Sequence, residues 1–104
     1  APEFGVAETK AFIELLERNN ENKLLEEFLT IAYDSMKWDK WMLKNSTATY
    51  RDKAIIAGHY VFSSTRFIEL KEKASHKIDN LELFLKQEVK KSIFRYLKAF
   101  NLTN

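Results

Sequence analysis

The chain has 104 residues, of which 45% are hydrophobic and 31% are charged, and it contains two glycines, one proline and no cysteine. This length suits one small domain, and this hydrophobic content excludes a disordered chain. The scarcity of glycine and proline argues against an all-β sandwich or barrel, and the lack of cysteine excludes a disulfide scaffold, a thiolate zinc site and a cysteine nucleophile.

The N-terminal residues do not resemble a targeting sequence. The chain begins Ala-Pro-Glu-Phe-Gly without a basic and apolar leader, and no apolar run approaches the ~20 residues that a membrane-spanning helix requires. We therefore predict a cytoplasmic protein without a membrane partner. We interpret residues 1–6 as a cloning remnant or a disordered N-terminus, and residues 7–104 as a single helical bundle domain.

Helical spacing of apolar residues predicts the first two helices. The first is short and runs from about residue 7 to residue 18, and the Asn-rich residues 19–22 form a turn because Asn tolerates the left-handed conformation. The second runs from about residue 23 to residue 44 and carries two adjacent apolar stripes. Two stripes form a face wider than one neighbouring helix covers, so this helix is predicted to be central or to carry an interface.

A capping signal marks the start of the third helix. Thr49 lies three residues before Asp52, which is the spacing of a capping box, and apolar residues at intervals of three and four follow as far as Ile68. Residues 59–70 also fit a β-hairpin. We favour a helix, because an isolated hairpin is marginally stable in water and the sequence offers no other strand to extend it.

The last helix has the clearest pattern. Asp79 and Glu82 repeat the capping-box spacing, and the apolar stripe that follows continues to Phe100. Because residues 70–85 also keep a helical spacing, the sequence leaves open whether the third and fourth helices are continuous. The predicted fold is an all-α, four-helix up-and-down bundle with a short first helix and a long last helix.

The sequence contains no constellation typical of an enzyme. The two histidines, His59 and His76, lie 17 positions apart, and the carboxylates at helical spacing lack the second half of the ExxE and ExxD magnesium pattern. A nucleophile elbow and a glycine-rich phosphate loop are also missing. We therefore predict a non-enzymatic protein with no catalytic residues, no metal ligands and no cofactor.

One segment around His59 resembles a known phosphorylation site. Residues 57–64 are similar to the phospho-acceptor segment of histidine phosphotransfer domains, which are four-helix bundles of about this length. The resemblance implies His59 as the phospho-acceptor, with Arg66 supplying a cation from two turns away. The family's basic residue three positions after the histidine is Phe62 here, and its glycine four positions after is Ser63. We favour a histidine at the polar edge of a core helix and keep phosphotransfer as an alternative function.

Two tryptophans point to a partner protein. Trp38 and Trp41 lie on nearby faces of the predicted second helix, next to Met42. Trp is enriched at protein interfaces because its apolar ring carries a polar N–H, although Trp38 in the core with Trp41 covering its edge is the plainer interpretation. The predicted function is a small helical module that binds another protein, or a second copy of itself, through these three residues.

The last helix carries a row of basic residues, Lys90, Lys91, Arg95 and Lys98. Such a row can neutralise phosphates, but cations near a helix C-terminus also complement its dipole. No named nucleic-acid motif accompanies the row, so nucleic-acid binding is a second alternative function.

The formal net charge of +2 conceals an uneven distribution. Residues 1–34 hold eight acidic and three basic residues, a net charge of −5, whereas residues 35–104 hold fourteen basic and seven acidic residues, a net charge of +7. An acidic first hairpin packed against a basic last helix would explain this division internally. A basic face left open for an acidic partner would explain it externally.

Overall fold

The computed structural model describes residues 2–35, 49–61 and 64–100, and the side chains within these ranges except those of residues 2–4, 50, 56 and 59. These residues form five α-helices and one four-residue helical turn: α1 (Pro2–Arg18), α2 (Asn22–Ser35), α3 (Tyr50–Ile56), the turn α4 (Gly58–Val61), α5 (Thr65–Ser75) and α6 (Leu81–Ala99). Within the described ranges there is no strand, which confirms the all-α class, and the packing of the helices is compatible with a four-helix bundle.

The first helix is longer than predicted. α1 has 17 residues and begins at Pro2, about five residues before the expected start. Pro is tolerated in the first turn of a helix because its missing N–H would have no helical partner there. The prediction of a short first helix is corrected accordingly, and residues 2–6 belong to α1. The interpretation of residues 1–6 as a cloning remnant stays a prediction.

The predicted third helix is divided, and it is separate from the last. The chain leaves the helical pattern at Ala57, and Ser64, the N-cap of α5, takes an extended conformation. Residues 76–80 then separate α5 from α6, and Asn80 has a left-handed φ of 61°. The β-hairpin alternative is therefore wrong for the described part of residues 59–70, and α5 and α6 are not continuous.

Two predicted local signals are confirmed. The backbone N–H of Asp52 donates to Oγ1 of Thr49 at 3.1 Å and the N–H of Thr49 donates to Oδ2 of Asp52 at 3.3 Å, which completes the capping box. After α1, Asn20 has a left-handed φ of 55° and donates its N–H to the carbonyl of Glu17. The next N–H, that of Glu21, donates to the carbonyl of Leu16, so the turn is a Schellman motif.

The predicted capping box at Asp79 is wrong. The residue that precedes α6 as its N-cap is Asn80, and among the described residues its side chain makes no capping hydrogen bond. The left-handed backbone of Asn80 turns the chain sharply between α5 and α6, so Asp79 stands one position too early to cap the helix.

The core is organised around three phenylalanines from three helices. Phe12 of α1, Phe28 of α2 and Phe67 of α5 are fully buried, and their ring centroids lie 5.4–5.6 Å apart. Phe12 meets both partners edge to face, which is a favourable arrangement of the ring quadrupoles. α6 joins this core through its first turns, where Leu81 and Leu85 are buried, and α1 makes more extensive contact with α6 than with any other described helix.

The backbone of α4 lies very close to the N-terminal half of α1. A methyl group placed on Gly58 would lie 2.8 Å from the carbonyl oxygen of Gly5 and 3.0 Å from Cα of Val6, and it would also collide with Oγ1 of Thr9. Thr9 is fully buried and donates its hydroxyl hydrogen to the carbonyl of Val6 at 3.0 Å. Only glycine at position 58 leaves room for this approach.

Replacing Phe67 by Ala should lower the free energy of unfolding by about 3–5 kcal/mol, because it removes one ring of the buried trio and leaves a cavity. Phe94→Ala is the matched control, since the Phe94 side chain is 57% exposed. We expect the control to change stability by no more than about 0.5 kcal/mol. Urea denaturation followed by circular dichroism measures both, and equal losses would contradict the central role of the trio.

Gly58→Ala should destabilise the protein by about 1–3 kcal/mol, because the added methyl group meets backbone atoms of α1 that cannot move aside cheaply. Helix propensity alone predicts the opposite sign, a gain of about 1 kcal/mol for replacing Gly by Ala. Thermal unfolding therefore discriminates between the two, and a raised melting temperature would show that α1 and α4 are not in close contact.

Candidate functional site

Of the eight acidic residues among residues 1–34, half are paired with cations inside the molecule. Four carboxylates of α1 and α2 each contact a cation of α3 or α5: Glu17 with Arg51 at 3.1 Å, Asp34 with Arg66 at 2.9 Å, Glu8 with Lys71 at 2.7 Å and Glu27 with Lys73 at 2.9 Å. None of these four cations belongs to α6. Internal pairing thus explains part of the uneven charge, but the acidic hairpin pairs with α3 and α5 and not, as the internal explanation expected, with the last helix.

One of these pairs is shielded from water. The side chains of Lys71 and Glu8 are 23% and 11% exposed, whereas those of Arg66 and Asp34 are about half exposed. Lys71 Nζ also lies 4.6 Å from the ring centroid of Phe67, which is a cation–π distance. Lys71 therefore connects α1 to the aromatic trio of the core.

The second half of the last helix is left uncovered. Of the side chains from residue 86 to residue 100, which we call the α6 surface, none is buried. It exposes large apolar groups as well as charges: Ile93 is 37% exposed, Phe94 57% and Phe100 63%. The rings of Tyr96 and Phe100 pack at a tilted angle with their centroids 4.9 Å apart, so these two aromatic groups at the end of the helix form one patch.

The predicted basic row lies on this same surface. Lys90, Lys91, Arg95 and Lys98 are all exposed, and Lys91 contacts Glu88 at 3.1 Å. Within the described ranges no carboxylate lies within 4 Å of the charged groups of Lys90, Arg95 or Lys98. Residues 86–100 hold five basic residues and one acidic residue, a net charge of +4. Lys90, Arg95 and Lys98 are therefore available to a partner.

A groove runs along α6 between this helix and α5. Its volume is about 630 Å³, and it combines an aliphatic floor with charged edges. The floor consists of Leu81, Leu85, Val89 and Ile93 of α6, and Ile68 of α5 forms the opposite wall. The edges carry three cations and three carboxylates, Lys71, Lys86 and Lys90 with Glu8, Glu72 and Glu82. Glu8 of α1 and Lys71 of α5, which form an ion pair, both line the groove.

The predicted tryptophan interface is not part of the described structure. Trp38, Trp41 and Met42 lie outside the described residues, so their role as an interface stays a prediction. The described part of the predicted second helix, α2, buries Leu24, Phe28, Ile31 and Ala32.

The phosphotransfer residues are not brought together into a described site. The backbone of His59 belongs to the turn α4, while its side chain lies outside the described residues. Arg66, which the resemblance suggested as the cation near a phosphate, instead contacts Asp34 at 2.9 Å. Phosphotransfer through His59 stays a prediction.

Neither a metal cluster nor a membrane span is found in the described ranges. Among residues 2–35, 49–61 and 64–100, no three His, Asp or Glu side chains are grouped so that they could hold a metal ion. The helices of this part of the chain also include none that is long and apolar enough to cross a membrane. Comparisons with models of known protein families, with curated proteins and with solved structures find no match for this chain.

The groove was not identified from the sequence, although its residues were. The apolar stripe of the last helix predicted Leu85, Val89 and Ile93 on one face. Periodicity does not show where a neighbouring helix stops covering that face. Here α5 leaves Ile68 at 52% exposure opposite the stripe, which opens the groove.

Lys71→Met should destabilise the protein by about 1–2 kcal/mol, because it leaves the nearly buried carboxylate of Glu8 without its cation. Lys73→Met is the matched control, since it removes the same charge from the exposed pair with Glu27. We expect the control to cost about 0–1 kcal/mol. Chemical denaturation at low and high salt compares them, and equal losses would mean that burial does not strengthen the Lys71 pair.

Proposed function

We propose that the protein is a small, non-enzymatic helical module that binds another protein, and that the α6 surface is its docking site. One observation carries this proposal. Large exposed apolar side chains stand together on α6 with Lys90, Arg95 and Lys98, which have no carboxylate partner among the described residues.

The composition of the α6 surface supports a protein partner. Interfaces are enriched in aromatic residues and arginine, because these side chains bury a large area and keep a polar or charged group for a specific contact. The surface offers Phe94, Arg95, Tyr96 and Phe100 within seven residues. Apolar patches of this kind on a small soluble domain commonly mark interaction sites.

Nucleic-acid binding is the second candidate, and the free cations favour it. Lys90, Arg95 and Lys98 have no carboxylate partner among the described residues, and exposed aromatic rings beside cations can stack on bases. The aliphatic residues of the adjoining groove weigh against it, because Ile and Val side chains neither pair with phosphates nor stack as rings do. We therefore place a protein partner first.

The double variant Ile93→Gln/Phe94→Gln should lose its partner while keeping its fold, since both side chains are exposed and Gln is a good helix former. The control is Leu83→Gln, which changes a residue of the same helix that is 55% exposed but lies outside the α6 surface. Immobilised wild-type protein, double variant and control are incubated with extract of the source cells, with and without nuclease treatment. Quantitative mass spectrometry then compares the captured proteins.

We expect at least one protein to be captured by the wild type and the control and to be depleted about tenfold or more on the double variant, which corresponds to 1.4 kcal/mol of binding free energy. Identical captured sets would overturn the α6 surface as the docking site. Capture that vanishes with nuclease treatment would favour nucleic-acid binding instead.

A further inference from the structure

The groove between α5 and α6 has the length and shape of a helix-binding site. Its floor follows Leu81, Leu85, Val89 and Ile93, which recur every four residues along α6. Twelve residues of helix rise by about 18 Å, which corresponds to roughly three turns of a partner helix. Ile68 of α5 forms the opposite wall, so the site is a trough between two helices and not a convex stripe.

The floor selects aliphatic side chains. Leu81 and Leu85 are buried, Val89 is half-buried and Ile93 is 37% exposed, so the floor rises gradually from the core to the surface. A partner helix with apolar residues at every third or fourth position would cover these groups without breaking a hydrogen bond. A lipid surface contacts protruding apolar groups more readily than groups at the bottom of a trough.

The groove cations that lack a carboxylate partner favour an acidic occupant and orient it. We call the end of the groove at the buried Leu81 its closed end and the end at the exposed Ile93 its open end. Along α6, Glu82 lies next to the closed end, and Lys86 and Lys90 follow towards the open end; within the described ranges neither lysine contacts a carboxylate, while Glu8 is already held by Lys71. Beyond Lys90 the surface continues with Arg95 and Lys98, so a partner's carboxylates would be favoured over the open end.

A second copy of the chain fits this surface less well. Two α6 surfaces would bring net charges of +4 together, which disfavours a symmetric contact. The acidic side of the molecule has less negative charge to offer a second copy than its composition indicates, because four of its eight carboxylates, those of Glu8, Glu17, Glu27 and Asp34, already contact a cation within the fold.

We propose that the groove between α5 and α6 seats an acidic amphipathic helix of three to four turns from the partner protein. The helix lays its aliphatic stripe on Leu85, Val89 and Ile93 and directs its carboxylates to Lys86 and Lys90. This inference rests on the proposed function, because it names the chemistry of the partner for the same surface.

The test uses a synthetic probe with the full-length chain. The probe is a fluorescein-labelled peptide of about four helical turns, with leucine at every third or fourth position and glutamate on both flanks. Its control carries glutamine in place of every glutamate. Fluorescence anisotropy at low salt measures both affinities, and we expect the acidic peptide to bind about tenfold more tightly than the neutral one, with a difference that shrinks as salt is added.

Three variants localise the binding. Ile93→Gln removes part of the apolar floor, and Lys86→Gln/Lys90→Gln removes both cations of the open end. Each variant should lower the affinity for the acidic peptide by about fivefold or more. The control Lys10→Gln removes one charge from an exposed position on α1 and should leave the affinity within about twofold. Circular dichroism confirms that each variant keeps its helices.

Several outcomes would overturn the proposal. Equal binding of the acidic and neutral peptides would contradict the preference for an acidic partner. Variants that bind the acidic peptide as tightly as the wild type would show that the groove is not its binding site. A mass in solution that doubles and returns to that of a monomer in Ile93→Gln would assign the groove to a second copy. If single-stranded RNA or phosphatidylserine vesicles bind more tightly than the acidic peptide, and through the same residues, the groove would be assigned to that ligand.

Failure of this proposal is distinguishable from failure of the proposed function. If the acidic peptide does not bind, but capture from extract still depends on Ile93 and Phe94, the α6 surface remains the docking site and only the chemistry of the partner is wrong. If neither result depends on these residues, both proposals fail.

Discussion

The contact among Phe12, Phe28 and Phe67 is the interaction on which the rest of the structure depends. Each ring comes from a different helix, and each pair of rings is in contact, so the trio fixes α1, α2 and α5 relative to one another. That arrangement brings the acidic helices against the cations of α5 and places Lys71 over a core ring. With those three helices fixed, α6 buries side chains only in its first turns, at Leu81 and Leu85, and no side chain from residue 86 to residue 100 is buried.

The uneven charge along the chain serves two purposes in the folded protein. Cations of α3 and α5 satisfy carboxylates of α1 and α2, and these contacts join segments that are far apart in sequence. Most of these pairs are exposed and contribute little stability individually, so their main effect is to leave α6 as the net basic surface. The excess of positive charge is thus concentrated beside the exposed apolar groups, and this coincidence supports a binding function.

Prediction from sequence succeeded where the signal is local. The capping box at Thr49 and the turn at Asn20 each depend on hydrogen bonds among residues within five positions, so the sequence of that short stretch suffices. It failed at the break before Gly58, where the helical spacing of apolar residues runs on but the helix does not, and it left the break at Asn80 open. At Gly58 the neighbouring α1 backbone leaves no room for a side chain, and no periodic pattern records that contact.

The sequence by itself determined the all-α class, the apolar face of the last helix and the presence of a basic row on it, because helical periodicity and side-chain charge are properties of single elements. Only the tertiary structure decided which carboxylates contact which cations, and from which residue onward the side chains of α6 are no longer buried by neighbouring helices. These outcomes depend on distances between elements that are 32 to 63 residues apart, such as Asp34 with Arg66 and Glu8 with Lys71. The candidate site is therefore a product of packing: its residues were visible in the sequence, but their exposure was not.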